Sequence, residues 1–412
     1  MVIDRPALAA VAVIAIVVAG CGNAGTSRAQ SSTNRTPAAT GSPTALETPK
    51  STTNSFTVLP PAAPVAAASE ARLSGIACSG AIGTSDPVAV VTLHSGGQVL
   101  RDYADPLHPR TACTFPPDLF GIGLIDAHHV VISVGFNLFA VVDLPGVRYS
   151  WFQLPTPSGE FSDFVAVSPG LDEVVYLSAD LTDNTDNTDK VHLATRSRDQ
   201  VVAALPNPHG GRCGSPEDSK LGAYTHSGAH LFVLDQPFPT LNSLLLMQGA
   251  TTLLKITPPG SLPQGGWAQG AQPAMAVWSP ASEELYYRQG GDVWRWTPTH
   301  GAERFLAGVA WYYPTISSDG NHLAYAVLRS DGLHNVYLVD LINGGGPRLI
   351  GNGARNLPVF LNGSQLWYRS EGQGICGPGG EKPLVYDLSD GSEAASIIDF
   401  VGSVWPATSS NF

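Results

Sequence analysis

Charge is scarce in this chain. Asp, Glu, Lys and Arg together make up 14% of 412 residues, the formal net charge is −12, and no basic run occurs anywhere. A phosphate backbone is held by clustered Lys and Arg, so no nucleic-acid partner is expected. No Cys-x-x-Cys occurs, which leaves a cysteine zinc site without ligands at their usual spacing. Gly-x-Ser-x-Gly, the strained turn that presents a hydrolase nucleophile, is missing as well, and no stretch alternates strands with long amphipathic helices. No peptidase domain and no catalytic residue are therefore expected, since abundant serines and histidines are not by themselves a triad. The apolar block near the start, Ala7 to Val18, falls short of the roughly 20 residues a bilayer-spanning helix needs.

Glycine and proline are plentiful, 44 and 33 residues, and that composition suits many short strands joined by turns. The stretch from Trp311 to Leu341, WYYPTISSDGNHLAYAVLRSDGLHNVYLVDL, shows how they are used. A short extended run ends in Ser318-Asp319-Gly320-Asn321, residue types that tolerate left-handed backbone angles. His322 to Leu328 is an apolar strand, Ser330-Asp331-Gly332 turns the chain, and Val336 to Leu341 returns as an alternating β-branched strand.

The same unit recurs. Anchored on the first apolar residue after each turn, it appears at Val88, Val130, Val174, Leu231, Leu285, Leu323 and Leu366, at intervals of 38 to 57 residues. Four-stranded propeller blades repeat at about 40 to 45 residues. The two longest intervals contain visible insertions, Thr182 to Asp189 with the Cys213 loop in one, and Pro258 to Pro273 in the other. The expectation is an all-β chain folded as a seven-bladed β-propeller over residues 73–412, with six or eight blades as alternatives.

Ser168-Pro169 before Val174-Val175-Tyr176, Ser279-Pro280 before Leu285-Tyr286-Tyr287, and Ser318-Asp319-Gly320 before Leu323-Ala324-Tyr325 share details as well as spacing. This resembles the Ser-Pro-Asp-Gly-x-x-Leu-Ala-Tyr repeat of TolB-type and related WD-like propellers, including the non-catalytic domain of prolyl oligopeptidase-type enzymes. The resemblance implies a fold more firmly than an activity. Val401 to Ser410 echoes Val309 to Ser318, so the tail reads as the innermost strand of a blade whose other strands come from the start of the domain. Pairing the two ends hides sheet edges.

Ahead of the repeats, residues 1–20 have the length and apolar core of a signal peptide, with Arg5 just before the core. Val18-Ala19-Gly20-Cys21 resembles the bacterial lipobox, which implies lipidation at Cys21, export, and attachment to the outer side of the cell membrane through the acyl chains alone. An ordinary secretory signal is the alternative. Residues 21–72 are rich in Ser, Thr, Pro and Ala with hardly an aromatic, and are expected to be a disordered tether. The four remaining cysteines suit two disulfides in an exported chain. The alike Gly-rich surroundings of Cys213 and Cys376 favour that pair, leaving Cys78 with Cys113; buried free thiols are the alternative.

Candidate chemistry is thin. His128 and His129 are adjacent and would face opposite ways on a strand, and His226 and His230 straddle a turn, so no metal site is expected. The Asp183, Asp186 and Asp189 run lacks the glycine and distal Glu of a calcium loop. No cofactor follows from any motif. Aromatics are the best lead, because seven of the eight tryptophans lie between Trp267 and Trp405. Trp267 sits in a Gly/Gln loop between blades. With Trp311, Tyr312, Arg355 and Asn356 it is expected at the channel mouth, where aromatic and polar side chains can hold a sugar or a peptide. The alternative is that these residues plug the inner strands and pack neighbouring blades. The expected role is thus non-catalytic binding of an envelope protein or glycan by a monomer. A propeller enzyme of lyase, hydrolase or lactonase type, with a polar or metal site at the channel, is the second reading.

Overall fold

The Ser317–Asn321 turn shows why the repeat folds as it does. In the computed structural model, which describes residues 67–135, 137–154, 160–180, 188–206, 221–227, 229–237, 242–256, 275–371 and 382–406, Ser317 is buried at the end of strand Trp311–Ile316. Its hydroxyl donates to Asp319 Oδ1 (2.5 Å) and accepts the backbone N–H of His322 (2.9 Å). Gly320 turns the corner at φ 75°, and a Cβ there would lie 2.4 Å from the Ala281 side chain of the preceding repeat, so only glycine fits. Ser168 caps the equivalent turn by donating to Asp172 and accepting from Glu173. Asp126 accepts the N–H groups of His128 and His129, and Asn362 those of Ser364 and Gln365. Each turn thus satisfies its own backbone.

Seven antiparallel sheets result, and they are arranged as a seven-bladed β-propeller. Written from the innermost strand outward, blade II is Phe120–Leu124, His129–Gly135, Leu138–Asp143 and Arg148–Gln153. Blade III is Glu160–Val167, Glu173–Asp180, Thr188–Thr195 and Arg198–Pro206; blade IV is Leu221–Tyr224, Leu231–Pro237, Asn242–Gln248 and Thr251–Ile256. Blade V is Ala276–Trp278, Leu285–Gln289, Asp292–Thr297 and Gly301–Leu306; blade VI is Trp311–Ile316, His322–Leu328, His334–Asp340 and Arg348–Ile350. Blade VII is Arg355–Phe360, Gln365–Ser370, Pro383–Asp387 and Glu393–Ala395. All seven sequence anchors fall on the first or second residue of the second strand in a blade.

Blade I joins both ends of the domain. Ile398–Trp405 supplies its innermost strand and pairs antiparallel with Val88–Leu93, so that Val88 faces Trp405 and Ala89 faces Val404. Gln98–Asp102, Arg110–Phe115 and the short Ala77–Cys78 complete it. The closure expected from the echo at Val401 is therefore present, and it covers the edge that Val88–Leu93 would otherwise expose.

The core is divided accordingly. Seven buried apolar clusters each draw on two neighbouring blades, and the seventh, with Trp367 and Val359 of blade VII against Ala89, Val91 and Val404 of blade I, closes the ring. A middle strand is buried on both faces: Leu285 and Tyr287 pack toward blade IV while Tyr286 packs toward blade VI. This is why these strands read as unbroken apolar runs.

Tryptophan also stitches blades together. The indole N–H of Trp278 donates to Ala223 O (3.2 Å), that of Trp311 to Met275 O (3.1 Å), and that of Trp367 to Ile398 O (3.1 Å), each reaching the neighbouring blade. A disulfide joins Cys78 and Cys113, which face each other across the outermost pair of strands in blade I; Cys213 and Cys376 lie outside the described residues. The expected tether boundary at residue 72 falls within a seven-residue helix, Ala67–Leu73, because Leu73 and Ile76 are apolar enough to insert into the cluster between blades I and II. No helix among the described residues is long and apolar enough to cross a membrane.

Candidate ligand-binding face

The inner strands give the propeller two ends, one where they begin and one where they finish. At the finishing end, Trp405 meets His226 edge-on with ring centroids 4.1 Å apart and planes at 81°. Trp405 belongs to blade I and His226 follows the inner strand of blade IV, three places round a ring of seven, so this contact crosses the central channel. Neither ring nitrogen of His226 has a hydrogen-bond partner of good geometry. Burial pushes its pKa down to about 4, with the Pro406 backbone offsetting a part.

Of the other histidines singled out in the sequence, His128 and His230 lie in turns and His129 opens the second strand of blade II. His230 lies 3.5 Å from Glu173 and 3.8 Å from Asp172, and Tyr224 donates to the same Glu173 (2.8 Å). His128 Nε2 meets Ile82 O at 2.7 Å, and His129 Nδ1 pairs with Asp126. They are dispersed, and no group of metal-ligating side chains forms among the described residues.

The beginning end carries the expected candidates, and the structure sorts them. Trp311 is fully buried, 0% exposed, and its indole stitches blade VI to blade V. It is unavailable to a ligand, because the first residue of this inner strand points between blades. Arg355 is likewise spent. Its fork grips Glu393 through Nε (3.1 Å) and Nη2 (2.7 Å), Nη1 donates to Ala354 O, and the guanidinium stands 5.8 Å over Tyr368. Burial opposes ionisation of Glu393, but the bonds from Arg355 and Tyr368 outweigh it and hold its carboxyl below the usual range. Trp311 thus sits between blades, while the contacts of Arg355 lie within blade VII. Trp267, together with Asp183 and Asp186, lies outside the described residues.

Tyr312 and Asn356 stay partly exposed, and the backbone beside each is distorted. Tyr313 and Leu357 hold positive φ, 52° and 55°, although neither is glycine, and each precedes a proline. The pairing register slips there in both blades, between Tyr312 and Thr315 and between Asn356 and Val359. Such bulges re-aim side chains, and the strained φ costs on the order of 1 kcal/mol each.

What gathers round Tyr312 was not legible in the sequence. The Arg288 guanidinium of blade V lies 5.5 Å from its ring centroid, and the His334 ring meets it at 5.8 Å and 80°. His334 Nδ1 pairs with Glu371 of blade VII (2.9 Å), and the His334 backbone N–H donates to the other carboxylate oxygen. Burial works against the Glu371 carboxylate, yet the bonds from His334, its charge, and a contribution from Asn356 hold the pKa below the usual value. Arg288, Tyr312, His334, Glu371 and Asn356 thus form one row across blades V, VI and VII.

Comparison with known proteins adds little. No family model and no curated protein matches this chain. Among solved structures, a prolyl endopeptidase aligns over 76% of this chain and 50% of its own at 13% identity, with a TM-score of 0.45. TolB from Acinetobacter baumannii aligns over 75% and 77% at 13% identity (TM-score 0.35), and an oligogalacturonate lyase from Vibrio parahaemolyticus over 74% and 91% at 10% identity (TM-score 0.42). This chain spans half the length of the endopeptidase. The propeller assignment rests on strand order and pairing, independently of these likenesses.

Proposed function

We propose that this protein is an exported, lipid-anchored envelope protein whose propeller binds a protein or glycan partner, without catalysis, at the end where the inner strands begin. The observation that carries this reading is the row from Arg288 through Tyr312 to His334 and Glu371, held beside two strained bulges. Aromatic and hydrogen-bonding groups placed together on rigid strands suit recognition. The Val18-Ala19-Gly20-Cys21 stretch and the Ser/Thr/Pro-rich residues after it support lipidation at Cys21 and a tether that gives the propeller reach.

Two measurements test it. Cys21→Ala should move the protein from the detergent phase to the aqueous phase after cold-induced phase separation; unchanged partitioning counts against the anchor. Full-length protein carrying Tyr312→Ala should lose capture of a purified envelope partner or glycan that the unaltered protein retains, while remaining folded with a cooperative, somewhat lower melt. Equal capture by both counts against this face.

A catalytic reading has one specific support. With Nδ1 held by Glu371, His334 presents Nε2 as a free edge, the arrangement of a general base. Recovery of the captured partner chemically intact favours binding, and recovery of a cleaved or eliminated product, lost in His334→Gln, favours catalysis.

A further inference from the structure

Several arginines in this acidic chain, exposed and buried alike, have a carboxylate in their fork. Arg110 meets Asp102, Arg148 meets Asp143, Arg295 meets Glu303, and Arg355 meets Glu393. Arg288 is half-buried and has no carboxylate partner among the described residues. Its Nε donates to Gly290 O (3.1 Å) and Nη1 approaches the Met275 sulfur at 3.9 Å, a weak acceptor. Nη2 makes no hydrogen bond among the described residues. The guanidinium carbon stands 5.5 Å from the Tyr312 ring centroid, on its face. Taking a cation partly out of water without a counter-charge is unfavourable, and a planar fork held in one orientation is what bidentate anion recognition uses.

We infer that Arg288 is a carboxylate-binding site, with Tyr312 as the positioning residue that presents its free edge. This deepens the proposed binding face and rests on it for its biological ligand. The local charge selects the anion. One unpaired guanidinium balances a single negative charge, and the Glu371 carboxylate further along the row repels a dianion more than a monoanion, which suits a carboxylate over a phosphate dianion. The His334 Nε2 edge, which makes no hydrogen bond among the described residues, stands beyond Tyr312 as a partner for a neutral hydroxyl or amide group of the same ligand.

The test reads the arginine side-chain N–H resonances of full-length, isotope-labelled protein, with Arg288→Lys to assign the Arg288 signal. Acetate should shift that signal saturably, while the Arg295 and Arg355 signals, whose forks are occupied, respond about tenfold more weakly. Chloride at matched ionic strength should leave it unmoved, and phosphate should bind less tightly than acetate. Tyr312→Leu should weaken the acetate response while keeping the resonance pattern of the fold. Glucuronate against glucose, and acetylglycine against its amide, then show whether a sugar acid or a chain-terminal carboxylate fits better. A response of Arg288 no stronger than that of Arg295, or equal with chloride, overturns the inference. The titration does not depend on partner capture. If Tyr312→Ala abolishes capture while acetate does not saturate Arg288, the binding face stands and the carboxylate site falls; the reverse result separates them in the other direction.

Discussion

The two ends of this propeller are built to different rules. Where the inner strands finish, short turns close on themselves through Ser168, Ser317, Asp126 and Asn362, and the channel is crossed by Trp405 on His226. Where the strands begin, the inner strands of blades VI and VII bulge, Tyr313 and Leu357 hold strained angles, and Arg288 is left without a counter-charge. One end repeats its chemistry from blade to blade because the fold requires it. The other varies because each blade contributes something different, and that is where recognition belongs.

The hardest way to break this comparison is to open the ring. Deleting the chain from Ile398 onward removes the innermost strand of blade I, uncovers the edge of Val88–Leu93, and strips one side from the cluster that holds Trp367. The truncated protein is expected to aggregate or to lose its cooperative melt, seen by gel filtration and circular dichroism. A truncated form that melts like the full chain would mean that closure contributes nothing. A smaller loss follows from Cys78→Ser with Cys113→Ser, which frees the outermost strand. The pair is 35 residues apart, and loop closure of that length is worth about 3 to 4 kcal/mol at most. Denaturant melts of this variant should show the loss while leaving the Tyr312 end competent to bind.

Much of this was readable from residues alone. The anchors Val88 through Leu366 all mark second strands because a strand buried on both faces between two blades must be apolar without interruption, and the Ser/Asp/Gly turns before them are local chemistry. The tail's echo of blade VI was readable for the same reason. What escaped was whatever depends on contact between blades. Arg288, His334 and Glu371 come from three blades, and no spacing links residues 37 apart across a blade boundary. Trp311 is buried between blades and the Arg355 fork is taken up by Glu393 within blade VII, neither of which has a trace in local spacing. Trp311 and Tyr312 differ because neighbours on a strand face opposite ways, and the bulge that follows Tyr312 has only Pro314 as its trace in the sequence.

Acidification sharpens the comparison from the closed end. An unfolded His226 titrates near the ordinary value of 6.5, and the folded one at about 4 because it is buried. Between those values the unfolded chain binds the extra proton, so stability contributed by the neutral ring is complete above pH 6.5 and falls as the pH drops toward 4. The full loss is of order 3 kcal/mol. His226→Gln removes this component, so unfolding free energies of the two proteins should converge as the pH falls from 7 to 4. Parallel curves would show that the ring is not shut away against Trp405.

The smallest stability effect is the most telling, because it separates neighbours on one strand. Trp311→Phe keeps a ring between blades V and VI but withdraws the N–H that Met275 O accepts, and should cost about 1 to 3 kcal/mol through the lost bond and the vacated volume. Tyr312→Leu, one residue on, removes no buried hydrogen bond and keeps an apolar side chain against the two clusters it touches, so it should cost less, about 1 kcal/mol at most. Binding should reverse that ranking, with Trp311→Phe retaining ligand and Tyr312→Leu losing it. If both substitutions instead act on stability alone, the aromatic ring between Arg288 and His334 is one more wedge between blades, and the two ends of the channel differ in shape but not in purpose.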